Sequence, residues 1–148
     1  DNPQILILGS LPGDLSLAQQ QYYAHPQNRF WKLLFHIYQE EYPVSYAQKI
    51  DFLHRQHIAL WDVCAAAQRQ GSMDTEITAV IPNAIPQLRR AKSTLNTFYF
   101  NGQKAQKLYD HHFEREPSCN CLSLPSTSPA NAGFSFDRLV EKWKVIRK

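Results

Sequence analysis

ILILGSLPG, Ile5 to Gly13, is a short apolar run that breaks at once into a turn carrying two glycines and a proline. Three further runs repeat its first half: Ile58–Trp61, Thr97–Phe100 and Cys121–Leu124. Each is short and apolar and stops at polar or turn residues, as strands buried on both faces of a parallel sheet do. The stretches between them have helical spacing: Arg29–Tyr38, Tyr46–Arg55, Val63–Gln70, Ala84–Ala91 and Gln103–His112, with Asp137–Arg147 closing the chain. Phe30, Leu33, Leu34 and Ile37 fall on one helical face, as do Leu139, Val140, Trp143 and Ile146, the stripe of helices that pack on a sheet. Pro82 and Pro86 mark the start and an early turn of the fourth helix. The alternation predicts an α/β fold, a three-layer α/β/α sandwich around a central, mostly parallel four-stranded sheet.

At 148 residues the chain is expected to be one domain over 1–148, burying roughly two-thirds of its unfolded surface. A hydrophobic share of 43% with 20% charged residues is that of a globular protein, and no apolar run reaches the length of a membrane span. No signal peptide is legible, and a chain that opens almost directly on a strand leaves room for a short N-terminal piece lost or trimmed. A net charge of +3 leans toward a polyanionic partner, although a mildly basic cytosolic enzyme has the same balance. Three cysteines, Cys64, Cys119 and Cys121, are an odd number with only one close pair, which argues against a disulfide framework and against an iron–sulfur cluster held by this chain alone. The six histidines do not gather, so neither a metal nor a cofactor is expected.

Ligands of open parallel sheets bind outside the carboxyl ends of the strands. That rule selects Gly9–Asn28, Asp62 onward, Asn101-Gly102 and Pro125–Asn131, all polar or rich in Gly and Pro. GSLPG, Gly9 to Gly13, lets the backbone pass close to a ligand but lacks both the lysine of an ATP-type phosphate loop and the spacing of a dinucleotide fingerprint. YYAHPQNRFW, Tyr22 to Trp31, sets aromatic and amide groups before an apolar helix face and suits a flat, hydrogen-bonding ligand. In LPSTSPAN, Leu124 to Asn131, Pro125 and Pro129 remove chain freedom, while Ser126, Thr127, Ser128 and Asn131 supply neutral donors and acceptors. Backbone N–H groups at Ser126 to Ser128 could meet phosphate oxygens. A plain Pro/Ser-rich connector is the alternative.

GSLPG, YYAHPQNRFW, the FNG after the third run and LPSTSPAN together resemble the uracil-DNA glycosylase superfamily, on its hypoxanthine-DNA (DNA-deoxyinosine) glycosylase branch. More distantly the chain is similar to the mismatch-specific uracil-DNA glycosylases, which share the Gly-x-x-Pro-Gly frame and an HPxNRFW run. The resemblance covers nearly the whole chain and implies a uracil-DNA glycosylase-like fold, a DNA partner, base flipping and a monomer acting in the cytoplasm on nucleoid DNA. Uracil-specific relatives carry an acidic or amide residue where this chain has Leu11, and many open the late motif with a histidine where it has Leu124. These departures fit the hypoxanthine branch, in which the asparagine of the NRFW run is implicated, and point to Asn28.

Roles follow residue by residue, those of Tyr23 and Asn28 from the resemblance and that of Asp62 from its place just past the second apolar run. Asn28 and Asp62 are the expected catalytic pair, Tyr23 stacks on the flipped base, and Gly9, Ser10 and Asn101 line the base. Pro12, Gly13, His25, Ser126, Thr127, Ser128, Pro129 and Asn131 are expected to contact DNA, the serines compressing phosphates and the Pro129–Asn131 tip filling the vacated space. Asp62 could accept N1–H of hypoxanthine or polarise water, or could instead cap a helix over Val63–Gln70. Asn101 is open between base edge and turn, and His25 between substrate contact and loop structuring. No lysine occupies a nucleophile position, which implies hydrolysis to an abasic site without strand cutting. A uracil or thymine mismatch glycosylase and a non-catalytic nucleic-acid-binding module are the alternatives.

Overall fold

The computed structural model describes residues 2–11, 14–68 and 78–147. In chain order its elements are β1 (Ile5–Gly9), α1 (Asp14–Gln19), α2 (Phe30–Ile37), α3 (Tyr46–Arg55), β2 (Ile58–Asp62), β3 (Cys64–Gln68), β4 (Thr78–Pro82), α4 (Ile85–Ala91), β5 (Thr97–Asn101), α5 (Gln103–His112), β6 (Asn120–Leu124) and α6 (Phe136–Trp143), followed by a 3-10 turn at Lys144–Ile146. The central sheet runs β2-β1-β5-β6 with every pair parallel. The four apolar runs are its strands, each lengthened by a residue at one end.

Strand alternation divides the core into two layers. Ile7 and Tyr99 face α2, α3 and α6, where Phe30, Leu33, Leu34, Phe52, Leu139 and Trp143 are buried. Leu6, Leu8, Phe98 and Phe100 face the other side, against Ile85 of α4 and Ala105, Leu108 and Tyr109 of α5. The two inner strands β1 and β5 are nearly wholly buried, while β6, on the edge, alternates between exposed and partly covered residues. Burying a side chain as large as Phe30 contributes about 1.5–3 kcal/mol.

One helix expectation is overturned. Over Val63–Gln70 the described residues form no helix: β3 pairs antiparallel with β4, in the register Cys64↔Pro82, Ala66↔Ile81 and Gln68↔Thr78. Residues 69 and 70 of the expected helix lie outside the described residues. The alanines of CAAAQ favour a helix only locally. The Val63 carbonyl, which a helix would pair with the N–H four residues on, accepts from Asn83 N–H at 2.7 Å, while Val63 N–H donates to Gly9 O at 2.8 Å and Cys64 N–H to Ser10 O at 2.9 Å. Pro82 accordingly ends β4, and Pro86 alone sits in the first turn of α4. The last helix starts one residue early, where Ser135 Oγ accepts from Arg138 N–H at 3.2 Å, and it tightens into the 3-10 turn after Trp143. The short α1 has no counterpart in the sequence reading.

Burial pushes the hydroxyls of Tyr22, Tyr38 and Tyr109 up to about 12 from the ordinary tyrosine value. The fold therefore favours their neutral form. A raised value leaves their stabilisation intact below about pH 10 and removes it as pH climbs through about 12. The urea midpoint should be flat up to the first of these limits and fall between them; a midpoint unchanged across that window would contradict the burial of these phenols.

Candidate active site

β1 lies between β2 and β5, so the chain leaves it on one side by way of α2 and α3 and returns on the other side at β5. This reversal opens a crevice at the carboxyl ends of β1 and β5. The segments after β1, β2, β5 and β6 meet there.

Gly9 is the last residue of β1, at this reversal. A Cβ added to it would lie 2.6 Å from Asp62 Oδ1 and 3.5 Å from the Tyr23 hydroxyl oxygen, so a carboxylate and a phenol converge over a bare Cα. Asp62 ends β2 directly opposite Gly9 in the parallel register, and only 7% of it is exposed. Its role as a helix cap disappears with the helix. Asn83 Nδ2 donates to the Asp62 carbonyl at 2.8 Å and fixes the backbone from which the carboxylate projects. Ser10, also buried, gives its carbonyl to the Cys64 N–H.

Tyr23 adopts φ 54°, a left-handed conformation that for a bulky residue costs about 1–3 kcal/mol. Its neighbours hold it there. Tyr22 N–H donates to the Tyr46 hydroxyl at 3.1 Å, Trp31 Nε1–H to Tyr22 O at 2.8 Å, and Ala24 N–H to Ser16 Oγ at 3.1 Å. The Tyr23 ring stacks on Phe30 with centroids 4.0 Å apart and an interplanar angle of 24°. Beside it, burial first and the negative charge of Asp62 second keep the Tyr22 phenol protonated up to about 12.

Asn28 stands at the start of α2, where the first N–H groups of a helix have no partner within it. Its Oδ1 accepts from Phe30 N–H at 3.0 Å and from Thr127 Oγ1–H at 2.9 Å. Thr127 is fully buried. Its own N–H donates to Asn101 Oδ1 at 3.0 Å, and Asn101 Nδ2 donates back to Thr127 Oγ1 at 3.0 Å. Among the described residues no hydrogen bond engages Asn28 Nδ2, so this half-buried amide keeps a donor available.

The late loop is stapled by its own side chains. Ser126 Oγ accepts from Ser128 N–H and Ser128 Oγ from Ala130 N–H, both at 3.1 Å, and Asn131 Nδ2 donates to Ser126 O at 3.0 Å. Three expectations change accordingly. Thr127 turns inward and has no surface to offer DNA. Of the backbone N–H groups assigned to phosphate, those of Thr127 and Ser128 are already used. The Asn131 amide folds back onto the loop, leaving Ala130, Ala132 and Gly133 as its exposed tip, with Pro129 half-buried. Asn101 pairs its side-chain amide with Thr127. His25 is exposed, and its Nδ1 accepts from Gln27 N–H at 3.1 Å while its carbonyl accepts from Asn28 N–H at 2.9 Å, so it shapes the turn that delivers Asn28. Pro12 and Gly13 lie outside the described residues.

Two residues of the site carry no local signal in the sequence. Arg29 holds the late loop from beneath: its N–H donates to Thr127 O at 3.2 Å, Nη1 to Phe134 O, and Nη2 to Asn131 O at 3.2 Å. Trp143 Nε1–H donates to Pro125 O at 2.8 Å and ties the same loop to α6. Their partners are far away in sequence, which is why only the folded chain reveals them.

This arrangement has relatives. The family model of the uracil DNA glycosylase superfamily matches residues 1–148. The chain is 38% identical to a hypoxanthine DNA glycosylase of Methanosarcina acetivorans over 99% of this chain and 91% of that protein. It is 42% identical to a hypoxanthine DNA glycosylase of Methanosarcina barkeri over 71% of this chain and 67% of that one. The fold superposes on a Methanosarcina acetivorans protein solved by NMR in solution as a candidate uracil DNA glycosylase, with a TM-score of 0.80 and 38% identity over 97% of this chain and 88% of the other. With the motif-bearing loops gathered at one end of a parallel sheet and a match along its full length, the chain belongs to the uracil DNA glycosylase superfamily.

Proposed function

We propose that residues 1–148 act as one monofunctional DNA glycosylase domain that removes a deaminated base, hypoxanthine above all, and leaves an abasic site. The observation that carries this reading is the similarity, along 99% of the chain, to a protein named hypoxanthine DNA glycosylase. The crevice supplies chemistry that fits. A deaminated base must leave the duplex to be reached, at a cost of a few kcal/mol that is lowest for a mispaired base. The Tyr23 ring, held against Phe30, stacks on it, a contact worth about 1–3 kcal/mol. Asp62 accepts N1–H of hypoxanthine, a donor that adenine lacks at that atom. As the bond from C1′ to N9 breaks, its electron pair passes to the purine, and the Asn28 Nδ2 donor stabilises that growing negative charge. Water then adds its oxygen to C1′, and its proton neutralises the departing base.

Ser126, Ser128, Pro129 and Asn131 present the late loop to the DNA strand, and the enzyme works as a monomer on DNA in the cytoplasm. Among the described residues no helix is long and apolar enough to cross a membrane. Duplexes carrying a single inosine, uracil or xanthine, treated with alkali after incubation, should break at inosine most readily. Breaks at uracil without breaks at inosine would replace the substrate by a pyrimidine mismatch, and DNA binding without any break would leave a binding module. Borohydride should trap no covalent enzyme–DNA imine; a trapped species would overturn the monofunctional reading.

A further inference from the structure

We propose that Thr127 is the positioning residue of the reaction: its buried hydroxyl locks the Asn28 amide with the donor outward, in a polarity set by two backbone N–H groups. The inference rests on the proposed glycosylase reading and goes beyond it by assigning an orienting device to its donor.

The direction of every hydrogen in this chain follows from geometry. A backbone N–H can only donate, so the Thr127 N–H at 3.0 Å identifies the Asn101 atom it meets as Oδ1. The other end of that amide, Nδ2, is then the donor facing Thr127 Oγ1 at 3.0 Å. With that lone pair occupied, the hydroxyl is free to donate to Asn28 at 2.9 Å. At the far end the Phe30 N–H, again a donor only, independently requires the same Asn28 atom to be Oδ1. The two determinations agree: the Phe30 N–H belongs to the first residue of α2, and the Thr127 N–H meets an amide carried by Asn101 at the end of β5.

The consequence is chemical selectivity. Flipping the Asn28 amide would point Nδ2 at Phe30 N–H, donor against donor, so the crevice is offered a donor and not an acceptor. The group it meets on a substrate must accept, and it must accept more strongly as the reaction proceeds. A purine nitrogen or carbonyl oxygen gaining charge while the glycosidic bond lengthens has this property. Arg29, whose N–H holds Thr127 O, keeps the backbone of the lock in place.

Two variants test the lock. Thr127→Ser keeps the hydroxyl and should excise inosine at close to the wild-type single-turnover rate. Thr127→Val keeps the shape and removes the hydroxyl, and should lower that rate by about 10–100-fold, as loss of an orienting partner does, without weakening duplex binding. Because Thr127 acts through Asn28, adding Thr127→Val to an Asn28→Ala protein should lower the residual rate by less than about twofold. A structural role would instead reduce both backgrounds alike. If the valine variant does not fold, Asn101→Asp serves: its carboxylate gives no donor to Thr127 Oγ1 and draws the hydroxyl away from Asn28, so the rate should fall with binding unchanged. Full activity of Thr127→Val, or of Asn101→Asp where the valine variant does not fold, or an undiminished further loss in the Asn28→Ala background, would overturn the proposal. Failure of the wild-type protein to excise any base would instead overturn the glycosylase reading beneath it.

Discussion

Replacing Asn28 by alanine is expected to lower single-turnover excision of hypoxanthine by about 10²–10³-fold, the usual cost of removing one preorganised donor. Alanine also strips Phe30 N–H and Thr127 Oγ1–H of their acceptor, and an orphaned buried donor costs about 1–3 kcal/mol. Part of the loss in that variant would therefore be structural. Asn28→Asp separates the two effects. The carboxylate still accepts from Phe30 and Thr127, so the start of α2 and the tie to the late loop survive, but the atom facing the crevice becomes a second acceptor. Excision should fall as far as in the alanine variant, while thermal stability stays nearer to wild type. An aspartate variant with wild-type excision would mean that the outward atom of residue 28 need not donate.

Gly9→Ala should be nearly as damaging, by a different route. The added methyl would lie 2.6 Å from Asp62 Oδ1, closer than any real contact allows, so one of the two must move. Gly9 is in a central strand pinned on both sides by β2 and β5, whereas the carboxylate is the end of a side chain. The carboxylate gives way. Displacing a reacting group by about 1 Å can cost about 10²-fold in rate, and a loss of that size is expected with the fold retained. Asp62→Asn, which keeps the position and removes the charge, provides the comparison. If alanine at residue 9 left excision intact while asparagine at residue 62 abolished it, the carboxylate would matter but its place over Gly9 would not.

The central sheet was legible because its strands are short apolar runs separated by helices with one clear face, and ILIL with its partners satisfies that pattern without long-range information. CAAAQ carries no such pattern. Its alanines favour a helix locally, and only the pairing of Cys64–Gln68 with Thr78–Pro82 makes it a strand. That correction changed the site, since it left Asp62 a strand-end carboxylate over Gly9 instead of a helix cap. Thr127 illustrates the opposite limit. A hydroxyl in a Pro/Ser loop reads as a surface group, because composition reports polarity and not direction. Its partners Asn28 and Asn101 are 99 and 26 residues away, and the inward turn exists only once β5, β6 and α2 are in register. Arg29 stayed hidden for the same reason.

Chromatography of the products from an inosine duplex, incubated with the wild-type protein and with Asn28→Asp, bears most directly on excision through an oriented donor. Wild type should release free hypoxanthine in step with abasic strand, and the aspartate variant should release only traces while binding the duplex as well. Intact inosine after incubation with wild type, release of a nucleotide in place of the free base, or equal release by the two proteins would contradict it.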